Sequence, residues 1–247
     1  MKGQSTRSHE RPHWSIPEST CRICVAFNLN ICGVGGGAEA RGPQQSGYVV
    51  PARHNILREH GLYGVVPFIC SGWAATVVML PDGRRQIISF LLPGDIVSTT
   101  LLFDSQPYSR IEAITETHCR TFDRAELRAL LYKEPDLLEK FSKTWIGEKR
   151  RAEELIVDLG RRTAEERIAR LIFNLMDRLT KRGMVRGEPV EIDFPLRQHH
   201  IADATGLTPV HVSKVLTEFR RDGLINISNR SLTLLNPAGL KRIAQMR

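Results

Sequence analysis

Residues 204–223 read ATGLTPVHVSKVLTEFRRDG. Gly206 can take the left-handed conformation that stops a helix ending at about Thr205. Thr208 is a good N-cap, and Pro209 suits the first helical position, where no amide donor is needed. Val212, Val215 and Phe219, with Leu216 beside them, form one buried face of the helix that follows. Upstream, Ile201 and Ala202 face inward on a short helix, and Ala202 is small where a second helix must approach closely. Leu207 plugs the corner. A small residue, a turn glycine four later and apolar residues six and nine beyond are the pattern a helix-turn-helix requires. "LINISNRSLTLLN" (224–236) follows as two short strands around "SNRS", a wing. Two core helices and a hairpin are the plain alternative.

The exposed face of the second helix would then enter the major groove. His211, Ser213, Lys214 and Thr217 can reach base edges or phosphates, and Thr208 can anchor a phosphate at the helix start. Val210 offers apolar contact, as to a thymine methyl. Arg220, Arg221 and Arg230 are candidates for the DNA backbone. Charge placement agrees. The net charge is +8. From Gly160 onward there are sixteen Lys/Arg against nine Asp/Glu, whereas the first 159 residues carry nineteen against eighteen. A near-neutral front with a basic back suits a polyanionic partner, though a basic solvated surface gives the same count.

Upstream the chain divides by pattern. Residues 1–47 carry little regular pattern, and "ICGVGGGAEARGPQQSG" (31–47) has linker composition. Gly33, Gly35 and Ala38 imitate a dinucleotide fingerprint, but no strand clearly precedes them and too little helix follows. Residues 48–130 hold short β-branched and aromatic runs. Gly72, Gly83 and Gly94 punctuate them at intervals of eleven, as turns in a small β-roll or barrel. In 131–160, Leu138, Phe141, Trp145, Glu148, Ala152, Leu155 and Leu159 alternate by three and four. That spacing is an a/d seam broken only by Glu148. Read so, Leu138, Phe141, Trp145, Ala152, Leu155 and Leu159 are the dimer interface; a helix packed on its own domain is the alternative. Thr163 and Glu166 form a capping box for the next helix, and 161–247 is the DNA-binding unit. The expected fold class is α+β: a jelly-roll-like β-roll sensor, a long dimerisation helix and a winged helix-turn-helix. The chain has no apolar run long enough to span a membrane and no signal-peptide core, so a cytoplasmic location is expected.

The segments "SGWA" (71–74), "LPDGRRQIISFLLPGDIV" (80–97) and "GLTPVHVSKVL" (206–216) resemble the CRP/FNR superfamily of bacterial transcription regulators. The resemblance covers about residues 48–247. It implies a homodimer that binds double-stranded DNA, recruits or blocks RNA polymerase, and passes a signal from the β-roll through the long helix. Members that bind cyclic nucleotides carry a Gly-Glu pair and then an Arg-Ser pair. Here the corresponding stretches are "DIVSTTLLF" and "QPYSRIEAI", with Pro107 and Tyr108 at the Arg-Ser positions and Arg110 two or three residues late. Cyclic AMP is therefore not the expected ligand; Ser98, Thr99 and Thr100 are polar candidates or surface hydroxyls.

"CRICVAFNLNIC" (21–32) is C-x2-C-x7-C and resembles the cysteine motif of oxygen-sensing FNR-type members. By that resemblance Cys21, Cys24 and Cys32 would hold an iron–sulfur cluster, with Cys119 as the fourth ligand, one residue out of register. Zinc on the same three cysteines with His13, or no metal, are the other readings. Cys70 reads as a core cysteine. The recognition helix departs from FNR-type members: Val210 and Lys214 stand where those carry Glu and Arg, so a different target sequence is expected. A small-molecule-binding or enzymatic β-roll is the alternative from another class. No nucleophile–base pair, carboxylate cluster or phosphate loop supports it.

Overall fold

The structure, a computed structural model, describes residues 45–57, 64–103 and 109–245. Cys21, Cys24, Cys32, His13, Pro107 and Tyr108 lie outside them.

Among the described residues six strands build the β-roll: β1 (Gln45–Val50), β2 (Val65–Ser71), β3 (Ala74–Met79), β4 (Arg85–Leu91), β5 (Arg110–Ala113) and β6 (Thr117–Asp123). They form two three-stranded antiparallel sheets, ordered β1-β6-β2 and β4-β3-β5. The first strand begins at Gln45, three residues before the pattern change at Tyr48, because Gln45–Gly47 pair with Arg120–Phe122. Gly72, Gly83 and Gly94 all have φ between +84° and +92°. Gly72 must be glycine for a second reason: a Cβ there would collide with the Glu116 carbonyl.

Helices follow the roll. The Asp123 carboxylate caps α1 (Arg124–Lys133) by accepting from the Glu126 amide. Pro135 opens α2 (Pro135–Arg161), 27 residues long, as its first-turn residue. The capping box at Thr163 and Glu166 starts α3 (Ala164–Thr180); removing such a cap costs about 1 kcal/mol. Then come β7 (Glu191–Asp193), α4 (Gln198–Thr205), α5 (Pro209–Arg221), β8 (Ile225–Ser228), β9 (Ser231–Leu234) and α6 (Pro237–Ile243). Strands β7, β9 and β8 form a small third sheet. No helix among the described residues is long and apolar enough to cross a membrane.

The core has three parts. Phe68 and Phe122 stack edge-on at 5.1 Å, in a cluster that also takes Leu127, Leu131, Leu137 and Phe141 from α1 and α2. The opposite interior holds Val50, Ile56, Ile69, Ile111 and Cys119. The third is continuous across the chain: Trp73, Val77, Ile87 and Phe90 of the roll pack in one cluster with residues of α3, α4 and α5.

This packing corrects the expected seam on α2. Phe141 is 1% exposed, inside the roll's own core. Leu155 and Leu159 face a cleft within the chain. Glu148, the apparent break in the seam, points at the roll and accepts a hydrogen bond from Thr99 Oγ1 at 2.7 Å. The exposed apolar side chains on α2 are instead Leu138, Ile146 (66% exposed), Ile156 (70%) and Val157. The 3-4 line along that side runs through Leu138, Ser142, Trp145, Lys149, Ala152 and Ile156; Ser142 and Trp145 are half-buried in it, Trp145 resting on Phe103 and Phe141 at 5.1 and 6.0 Å. The expected line shares Leu138, Trp145 and Ala152 with it; its Phe141 turns into the roll's core, and its Leu155 and Leu159 face the cleft. Apolar spacing alone does not say which of two partners a helix stripe meets.

Candidate nucleic-acid interface

The pair α4–α5 is built as the local sequence dictates. Ala202 is 2% exposed where the helices approach. Gly206 has φ 66° and ψ 32°, and its amide donates to the Ala202 carbonyl, closing α4. The Thr208 hydroxyl accepts from the His211 amide and caps α5, with Pro209 at its first position. Val212, Val215, Leu216 and Phe219 are all buried beneath the helix. The turn also rests on the long helix, since a Cβ at Gly206 would stand 3.1 Å from Leu159 Cδ2.

The opposite face of α5 is open. Thr208, Val210, His211, Lys214, Thr217, Arg220 and Arg221 are exposed, and Ser213 is half-buried. Val210 is 80% exposed, an apolar side chain presented with no cover from its own chain. Thr217 is partly committed, because its hydroxyl donates to the Ser213 carbonyl at 2.8 Å. Arg221 pairs with Asp222 at 3.0 Å on the surface, a weak tie that a phosphate can displace. Arg230 stands apart from α5 at the tip of the β8–β9 hairpin. There Asn229 and Arg230 both take positive φ, 48° and 62°, as a two-residue hairpin turn of this hand requires. The wing is thereby fixed, with the Arg230 carbonyl accepting from the Phe194 amide at 2.7 Å. A protruding helix with mixed polar, basic and apolar tips, beside a wing carrying one arginine, can enter a groove and touch the flanking backbone.

Cys119 has a different setting. It lies on β6 opposite Tyr48 and Ile69, with no exposure, among Val50, Ile56 and Ile111. Burial pushes its thiol up to about 12, against the pull of a hydrogen bond with Tyr48. A cluster ligand must be a thiolate within reach of the other cysteines. Cys119 does not fit that role; it is a core residue, turned inward by the one-residue offset that strand alternation makes decisive. Cys70 is half-buried at the end of β2. Among the described residues no group of three or more His, Cys, Asp or Glu could hold a metal.

One feature connecting the roll to the DNA-binding unit was not visible in the sequence. Asp95, in the "PGD" turn, takes Arg178 on one carboxylate oxygen at 2.6 Å and Arg182 on the other. The same two arginines also donate to the Phe90 and Pro93 carbonyls, at 2.9 and 2.6 Å. Burial alone would raise the Asp95 carboxyl; the two guanidinia and the Leu92 amide outweigh it and hold the group below its ordinary range. Arg85 adds a second tie, to Asp203 of α4 at 3.4 Å. Only the helical spacing of Arg178 and Arg182, at i and i+4, hinted that both face one way.

Comparison with known proteins agrees with this architecture. Residues 50–134 match the cyclic nucleotide-binding domain family, and residues 166–243 match the Crp-like helix-turn-helix domain family. The chain is 28% identical to the nitrogen fixation regulation protein FixK of Bradyrhizobium diazoefficiens, over 91% of this chain and 93% of that one. It is likewise 28% identical to the transcriptional activatory protein AadR of Rhodopseudomonas palustris, over 94% and 99%. The structure of FixK2 from Bradyrhizobium japonicum superposes with a TM-score of 0.70 at 25% identity, covering 83% of this chain and 99% of that one.

Proposed function

The chain belongs to the CRP/FNR superfamily of DNA-binding transcription regulators, and from that premise we propose a homodimer that reads an inverted repeat through α5. The observation that carries the reading is the exposed face of α5. Lys214 and His211 are placed to meet base edges, and Val210 to meet a thymine methyl. Thr208, Ser213, Thr217, Arg220, Arg221 and Arg230 meet phosphates or base edges around them. The dimer forms through the outward line on α2, Leu138, Ala152 and Ile156, with Ile146 and the half-buried Trp145 beside it. RNA polymerase is the partner that a regulator of this class recruits or blocks.

Substitution separates reading from attraction. Lys214→Ala should weaken binding to the preferred site by ~1–3 kcal/mol and relax preference at one position. Arg221→Ala should weaken binding to all sequences alike and flatten the dependence on salt. Unchanged affinity and preference in Lys214→Ala, measured by titration on matched and scrambled sites, would refute this placement of α5.

The C-x2-C-x7-C spacing supports a second reading, that Cys21, Cys24 and Cys32 hold an iron–sulfur cluster and make the protein responsive to oxygen. With Cys119 in the core, the fourth ligand would have to come from elsewhere. Protein purified without oxygen should then contain iron and acid-labile sulfide, both lost in Cys24→Ser. Zinc alone, or no metal, removes this reading and leaves the DNA-binding one intact.

A further inference from the structure

Between β4, α2, α3 and the end of α4 lies a cleft of about 450 Å³. Its apolar wall includes Phe90 of the roll, Leu155 of the long helix, and Leu171 and Phe173 of α3. Among the described residues five arginines line it against three carboxylates. Most of these charges are already used. Arg170 pairs with Asp158 at 2.7 Å, and Arg178 with Asp95. Arg167 donates to the carbonyls of Arg162 and Thr205. Arg150 leans on Glu154 at the exposed rim, and Asp177 pairs with Lys181.

Two polar side chains of the lining are different. Arg151 and Asn174 have no ion pair or side-chain hydrogen bond among the described residues, yet both border the cleft. Glu148, three residues earlier on the same helix, attracts Arg151 at a distance but takes its hydrogen bond from Thr99. An arginine with no hydrogen-bonded or ion-paired contact, beside a second guanidinium, Arg178, and apolar side chains, is an anion site with an apolar body attached. The cleft sits on the face of α2 carrying Arg151, Leu155, Asp158 and Leu159. The outward line through Leu138, Ala152 and Ile156 is another face, so pairing of two long helices leaves the cleft in place.

We propose that this cleft binds a small organic monocarboxylate of about ten heavy atoms, a volume within the usual range for ligand sites. Its carboxylate would lie on Arg151, with Asn174 donating alongside, and its hydrocarbon against Phe90, Leu155, Leu171 and Phe173. The lining comes from the roll, the long helix and the DNA-binding unit together. A bound ligand therefore favours the arrangement in which all three are docked, and by mass action holds the recognition helix in one position. The regulatory consequence, though not the binding, rests on the DNA-binding reading given above.

The test is calorimetric titration of the full chain with octanoate and with octanamide, its neutral counterpart. Octanoate should bind with a dissociation constant near or below ~1 mM, and octanamide at least tenfold more weakly. Arg151→Gln should weaken octanoate at least tenfold, while Arg151→Lys, which keeps the charge, should retain most of the affinity. Arg150→Gln, at the exposed rim, should change little. Octanoate should also raise affinity for the preferred DNA site in the wild type and not in Arg151→Gln. Lys214→Ala protein should still bind octanoate, which separates failure of the cleft from failure of DNA reading. Absence of octanoate binding, equal binding of the amide, or an unaltered constant in Arg151→Gln would each overturn the proposal.

Discussion

At the scale of single residues, the features that made the DNA-binding unit legible are those whose cause is local. Gly206, Thr208 and Pro209 each answer a backbone requirement within one turn of themselves, and all three stand as that requirement dictates. Cys119 was misplaced for the complementary reason: its surroundings come from strands β1 and β2, distant in sequence, and nothing beside it announces them. His200 is a further residue whose state is set at a distance. Its Nδ1 accepts from the Arg197 amide at 3.1 Å. Burial first, then His199, Arg85, Arg197 and Arg53, lower its pKa from 6.5 to about 4. The ring is therefore neutral when folded, while the unfolded chain takes up a proton below about 6.5. Stability that is complete above that pH should be lost progressively as pH falls towards about 4. His200→Asn, which keeps an acceptor and cannot titrate there, should lose less between pH 7 and pH 4.5 in thermal melts. An equal loss in both proteins would remove His200 as the cause.

At the scale of elements, the strands and helices were readable from turn glycines, caps and periodicity, and the one misread face was on α2. Its apolar residues exceed what one partner can cover. Leu137 and Phe141 are spent on the roll, and Leu155 and Leu159 on the cleft, leaving Leu138, Ile146 and Ile156 outside. A sequence shows the sum of these faces and not their division. The division makes a directional prediction about neighbouring residues. Ile156→Glu should place like charges across a helix pair and give monomers with poor DNA affinity in sedimentation. Leu155→Glu, one residue away, should leave the dimer intact and disturb the cleft. Dissociation by Leu155→Glu with an intact dimer in Ile156→Glu would return the interface to the line first read from spacing.

At the scale of the whole molecule, the parts are joined by contacts between residues far apart in the chain. Asp95 is tied to Arg178 and Arg182, Arg85 to Asp203, and the outer face of the roll shares a core with α3, α4 and α5. None of these pairings carries a local signature, which is why the docking of the roll on α3 and α4 could not be read from the sequence. Their joint effect is to dock α3 and α4, on which α5 packs, against the roll. If the molecule works as a paired reader of DNA, the spacing of its target is a property of the whole assembly and not of α5 alone. The most direct test is therefore selection of binding sites by the full-length protein from random double-stranded DNA, followed by sequencing. The account predicts one enriched inverted repeat, with half-site centres about one helical turn (~34 Å) apart, and a weaker enrichment in Lys214→Ala with preference relaxed at one position of each half-site. Recovery of no preferred sequence, or of the same repeat at full strength with Lys214→Ala, would contradict it.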